Sequence, residues 1–253
     1  MRKKLLASLI IMVLAMGCLA PAMVSADTYV RSGYACKSGK NIYFAFTSTK
    51  KSTPIYKFNV KTGKRVKVAI KRVKLKEFKH LSTDGKYLYC SARPAKSLGC
   101  TYIYRINLKT GSARRLAKGT KPTLVGDKIV FEGVKAQKVN DNFSYTYVPS
   151  GKDYMIPQEG GRKQPVNHVE VSAETPCRGK QIASGRYKFY ISKDGKKIYR
   201  KNGSKKKQIC KAKKITGFRV LGGYLVVKTT KNGKNYAYCV KSNGKKSMKM
   251  LKW

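Results

Sequence analysis

Five glycines each precede a short apolar run: Gly39 (KNIYFAF), Gly85 (KYLYCSA), Gly126 (DKIVFEG), Gly185 (RYKFYIS) and Gly223 (YLVVKTT). They lie 46, 41, 59 and 38 residues apart. A chain that repeats one set of local signals at such a period must fold each copy alike and bury the copies against one another. The fullest copy, residues 84–119, reads DGKYLYCSARPAKSLGCTYIYRINLKTGSARRLAKG. It predicts a strand at 87–92, a loop, a second strand at 102–108, a tight turn at Thr110-Gly111 and a returning strand at 114–117. Its second half recurs almost position for position: IYKFNVKTGK at 55–64 matches IYRINLKTGS at 103–112, with weaker copies at 197–203 and 238–245. Each copy carries a glycine where a tight hairpin needs positive φ.

The apolar runs decide how the copies pack. Residues 42–46, 87–90, 129–131, 189–191 and 224–227 are apolar at consecutive positions, whereas a strand with one wet face alternates. Both faces of these strands are therefore expected to be covered. The stretch RVKVAIK at 65–71 does alternate, as an outer strand should. A period near 40–45 with several strands per unit is the mark of a β-propeller. The expected fold is all-β, with about five four-stranded blades in a closed or incomplete ring spanning 27–253. A β-sandwich would not explain the repeat. The third unit is about 15 residues longer than the other spacings predict. Its excess is assigned to 158–181, which is rich in Gly, Pro and polar residues.

Residues 1–26 read as a signal peptide: Arg2, Lys3 and Lys4, then an apolar core, then Val24-Ser25-Ala26 before the expected cut. Leu14-Ala15-Met16-Gly17-Cys18 offers lipidation at Cys18 as an alternative. No later segment is apolar enough to span a membrane. A secreted or envelope-associated protein is expected. Its charge is extreme: 57 Lys and Arg against 11 Asp and Glu, a net +46. The cations are spread through every unit, which favours association with polyanions over a Debye length. The expected partners are an anionic cell-wall polymer or an acidic glycan, with nucleic acid bound only non-specifically.

Six of the seven cysteines follow the leader. An even number in an exported chain suggests disulfides, although a reducing surrounding would leave thiols. Cys90 and Cys100 are the candidate pair, since a hairpin centred on Ala95 sets them directly opposite. No cysteine or histidine spacing suggests a zinc site, and no cofactor is expected.

Catalytic candidates are few. His168 and Glu170 lie two apart, on one side of an extended strand, where they would serve as a base and its orienter or as metal ligands. In so basic a chain, acids that offset nearby lysines are the plainer reading. The 17 tyrosines mostly occupy repeating strand positions. Tyr145, Tyr147 and Tyr154, with Arg162, His168 and Glu170, belong to the longer third unit and are the ligand-binding candidates, because Tyr beside Arg or Lys can stack rings and hold anions. A binding protein without catalysis is expected; a polysaccharide-active propeller enzyme using 158–181 is the alternative.

Units of this form resemble the low-density-lipoprotein-receptor-type and TolB-like β-propeller repeats of exported proteins of Gram-positive bacteria. The resemblance covers nearly all of residues 29–253. The receptor repeat's Tyr-Trp-Thr-Asp signature is absent, and the single tryptophan is Trp253. It implies a scaffold for binding other molecules and transfers no catalytic residue.

Overall fold

The computed structural model describes residues 29–30, 32–46, 54–96, 99–139, 144–166, 170–171 and 181–252. The expected leader, 1–26, lies outside them. Five four-stranded antiparallel sheets follow one another along the chain, each a simple meander of consecutive strands. Blade 1 comprises Ala35–Ser38, Asn41–Phe44, Tyr56–Asn59 and Arg65–Lys67. Blade 2 comprises Leu75–Thr83, Tyr87–Pro94, Tyr102–Asn107 and Ala113–Lys118, and blade 3 Thr120–Val125, Lys128–Val139, Ser144–Pro157 and Gln164–Val166. Blade 4 runs through Gln181–Ser184, Tyr187–Ile191, Lys197–Asn202 and Lys205–Lys211. Blade 5 comprises Lys214–Val220, Tyr224–Lys231, Lys234–Lys241 and Ser247–Lys252. The protein is a five-bladed β-propeller.

Local chemistry accounts for the repetition. All five aligned glycines take positive φ, between 50° and 95°, in the turn that joins the first two strands of a blade. In the matched turns of blades 1 and 2, Asn59 Oδ1 accepts from the amides of Lys61 and Thr62, and Asn107 Oδ1 accepts from those of Lys109 and Thr110. These Asn caps satisfy backbone donors that a tight turn leaves open. Gly111 is further constrained, since a Cβ there would come within 2.9 Å of the Ala69 carbonyl oxygen.

Blades pack face to face. One apolar cluster joins blades 1 and 2 through Tyr43, Ile55, Leu81, Leu88 and Ile106. A second joins blades 2 and 3 through Tyr89, Ile103, Ile129, Phe131 and Ile156. A third joins blades 4 and 5 through Phe189, Ile198, Phe218, Leu225 and Val227. A fourth joins the last blade to the first: Ile42, Phe44 and Phe58 meet Val226, Cys239 and Met250. Each blade is built from its own stretch of chain, so side chains, not an exchanged strand, close the ring at this point. Two polar contacts reinforce it: Tyr34 Oη donates to the Val226 carbonyl at 2.9 Å, and Arg65 Nη1 donates to that of Met250 at 2.8 Å.

Three expectations are corrected. First, the second strand of blade 4 does alternate: Lys188 is exposed, Phe189 buried, Tyr190 half-buried and Ile191 buried. Its face turned away from blade 5 is wet, and tyrosine's hydroxyl tolerates that where an aliphatic side chain would not.

Second, the extra length of the third unit begins inside the blade. The hairpin of Lys128–Val139 and Ser144–Pro157 carries six further residue pairs, Val134↔Pro149 to Val139↔Ser144, beyond a bulge at Glu132/Val134. The region 158–181 supplies part of the blade itself, because Gln164–Val166 is its fourth strand.

Third, Cys90 does not face Cys100. The second strand of blade 2 runs on to Pro94 and its partner begins at Tyr102, so Cys90 pairs with Tyr104 and Ala92 with Tyr102. Cys100 stands four residues before that partner, on the order of 13 Å along a strand and out of disulfide range. Both are buried free thiols. Non-reducing peptide mapping is expected to show no Cys90–Cys100 crosslink; finding one would overturn this register.

Candidate functional site

The first strands of the blades are innermost, and those of blades 1, 2, 3 and 5 converge on one cavity. The chain entering blade 1 passes directly into this region. Ser32 N donates to Thr123 Oγ1 of blade 3 at 2.9 Å, and Leu81 N of blade 2 donates to the Gly33 carbonyl at 2.6 Å. Gly33 also packs against Arg219 of blade 5: a Cβ there would lie 2.4 Å from Arg219 Nη1. A side chain at this position would push the Arg219 guanidinium aside. A further bond, from Leu124 N to Ser82 Oγ at 3.0 Å, ties blade 3 to blade 2. Blades 1, 2 and 3 are thus tied at the axis by hydrogen bonds, and Arg219 of blade 5 packs against the same stretch of chain.

The cavity beside this plug has a volume of about 360 Å³ and is lined by Ser32, Cys36, Lys37, Ser82, Thr123 and Arg219 among others. That size lies at the lower end of small-molecule sites. Arg219 is 6% exposed. Among the described lining residues there is no carboxylate; they offer one guanidinium, one ammonium and several hydroxyls. Burial pushes the Cys36 thiol up to about 12, and the Arg219 guanidinium opposes that shift. At neutral pH the thiol is therefore protonated, and the described lining residues carry a net positive charge. Chemically the arrangement suits the coordination of an anionic group: a planar fork from Arg219, a point charge from Lys37, and neutral donors around them.

The residues singled out in the sequence are not brought together. Tyr147 lies in the extended part of the blade 3 hairpin, opposite Ala136, with Lys118 Nζ 4.0 Å from its ring centroid. Tyr154 packs on Phe131 in the blade 2–blade 3 cluster, and Lys163 Nζ sits 4.3 Å from its ring. The two tyrosines stand opposite Ala136 and Phe131, five positions apart on the partner strand, roughly 16 Å. Arg162 is exposed. The Tyr145 and Glu170 side chains and all of His168 lie outside the described residues, although the Glu170 backbone pairs in parallel with Tyr29. Within 158–181, Gln158 is fixed against blade 2: Tyr89 Oη donates to its Oε1 at 2.8 Å, and Arg105 Nη1 to its carbonyl at 3.0 Å.

His80 is held by Ser91, Nδ1 to Oγ at 3.1 Å. His80 and Glu77 both have positive φ, and register shifts interrupt their strand between Lys76 and Ser82. Glu77 pairs with Arg93. These two residues shape a bulged inner strand. Among the described residues no group of three His, Cys, Asp or Glu could hold a metal ion, and no helix is long and apolar enough to cross a membrane.

Sequence reasoning missed Arg219 and Lys37. Arg219 did carry a signal, being the only charge between Lys214 and Lys228. A lone cation in an otherwise apolar inner strand is costly unless it serves a site.

No protein-family model matches the sequence, and no curated protein matches it. Solved structures do. The chain is similar to the β-propeller domain of the trilobed protease from Pyrococcus furiosus at 11% identity, covering 87% of this chain and 98% of that one with a TM-score of 0.48. It is similar to a TolB structure from Agrobacterium tumefaciens at 13% identity, covering 88% and 80% with a TM-score of 0.37. A chain of the nidogen/laminin complex matches at 9% identity over 88% and 78%, with a TM-score of 0.37. The tricorn protease is matched over 22% of its own length.

Proposed function

We propose that this propeller is exported by its leader, stays at the cell envelope, and binds an anionic cell-wall polymer or acidic glycan without turning it over. The observation that carries this reading is the axial cavity, where Arg219 and Lys37 line one space and none of the described lining residues is a carboxylate. An anionic terminal or pendant group enters there, and the surrounding lysines supply the long-range attraction. Eleven carboxylates cannot neutralise 57 cations, so a polyanion gains at every unit it passes. Nucleic acid shares this non-specific attraction but lacks a fitted site.

The test is a titration of residues 27–253 with polygalacturonate over a salt series. Log affinity is expected to fall linearly with log salt as bound counterions are released. At fixed salt, Arg219→Gln should weaken binding about 10- to 100-fold, the loss of a charge-assisted hydrogen bond, with an unchanged circular dichroism spectrum. Binding that persists unchanged near 1 M salt, or is indifferent to Arg219, would refute the reading.

A further inference from the structure

We propose that the wet face of blade 4 is a docking face for an acidic polysaccharide, distinct from the axial cavity. This inference rests on the polyanion-binding reading and names a second place where it is carried out. Residues 181–211 hold eleven lysines and arginines and one acid, Asp194. That acid is engaged in its own turn, accepting from Ser192 Oγ and from the Lys196 amide.

The register sets the cations in rows. Lys188 pairs with Lys201, and Lys201 with Lys206, so three like charges stand directly opposite one another across three adjacent strands. Inter-strand spacing puts their backbones about 5 Å apart. All three are exposed, and none takes part in the ion pairs formed among the described residues. Like charges directly opposite destabilise a sheet. A fold that wanted only solubility would alternate the signs.

The next row on the same face is Tyr190↔Tyr199↔Gln208. The two rings stack at 5.6 Å between centroids, and both are half-buried. Lys206 Nζ lies 4.0 Å from the Tyr199 centroid and 5.7 Å from that of Tyr190. The pair thus orders a cation that would otherwise sweep freely, and Lys206 lies closer to Tyr199 than to Tyr190. An aromatic pair flanked by a row of point charges fits a chain of sugar rings with one acidic group per unit. The ring lies on Tyr190 while successive carboxylates reach the lysine row. The opposite face of this sheet is sealed by blade 5, which holds the pair rigid.

Two triple variants that remove the same charge decide the matter. K188Q/K201Q/K206Q empties the row; K61Q/K109Q/K245Q removes exposed lysines from the turns of blades 1, 2 and 5. Each is titrated with polygalacturonate and with single-stranded oligothymidylate, beside the unaltered protein. The blade 4 variant is expected to bind polygalacturonate at least about 10-fold more weakly, with a salt slope lower by about three. The turn variant should lose no more than about 3-fold. Relief of like-charge contact should leave the blade 4 variant's thermal midpoint equal or higher, which separates lost binding from lost folding. Equal losses in the two variants would overturn the blade 4 site and leave the polyanion reading standing. A larger loss for the oligonucleotide than for the glycan would overturn the choice of occupant. Failure of the unaltered protein to bind any polyanion would sink the broader reading and this site together.

Discussion

Phe44→Ala is expected to lower the unfolding free energy by about 3–5 kcal/mol, the usual cost of emptying a buried phenylalanine site. Phe44 is fully buried in the cluster joining blade 1 to blade 5. Its ring contacts Phe46 at 5.2 Å and Tyr56 at 5.5 Å. Because no strand is exchanged between the two blades, apolar packing carries most of the closure, and little nearby can collapse into the gap. Urea unfolding gives the measurement, with Val66→Ala, at a position 37% exposed, as a comparison that should cost no more than about 0.5 kcal/mol. A loss below about 1 kcal/mol for Phe44→Ala would show that first and last blades part without penalty.

The second large effect is alkaline. Burial raises Cys36 and Cys239 from 9.0 to about 12, against the opposing pull of Arg219 and Lys246 respectively. Cys90 is raised as well, by burial and by the neighbouring Cys36. The folded protein keeps these thiols protonated where the unfolded chain has released the proton. Below pH 9 both states hold it, and the thiols contribute no pH dependence. Between pH 9 and about 12 the unfolded state is favoured increasingly, by about 1.4 kcal/mol per pH unit for each thiol. Stability is therefore expected to fall steeply over that window, beyond what lysine and tyrosine titration produces. The difference is read by comparison with C36A/C239A, whose slope should be shallower by about two protons. Identical slopes would show that the thiols titrate freely in the fold. The same burial predicts slow alkylation of Cys36, Cys90 and Cys239 in the native protein.

Much of the architecture was legible because it is written locally and repeated. The five glycines and the Asn-x-Lys-Thr-Gly turns each need one backbone conformation, and the residue pattern alone reveals them. The misreadings share a cause. Tyr190 counts as apolar in a run, yet its hydroxyl and the flanking lysines let it face water. The longer hairpin of blade 3 uses Val134, Tyr145, Tyr147 and Val148, residues any strand uses, whereas Pro157, Gly160 and Gly161 look like a loop; the excess was assigned to the second when it begins in the first. The Cys90 register failed because a loop of irregular length separates the strands, and no local signal fixes its centre. The axial site was the least legible. Gly33 and Arg219 are joined only by closure of the ring, and neither sits in a motif.

That closure has a consequence for how the molecule is made. Blade 1 is synthesised before the other blades, and its partners Val226 and Met250 belong to blade 5, made after blades 2 to 4. Throughout synthesis the Phe44 face of blade 1 has nothing to pack against, and the chain around Gly33 waits for Arg219 before it can settle at the axis. Blades 2 to 4 can form as local meanders in the meantime, since each pairs only with its own strands. Assembly of these blades therefore ends with the docking of blade 5 on blade 1, and a nascent chain stalled before blade 5 presents an apolar sheet face to any chaperone or to another stalled copy.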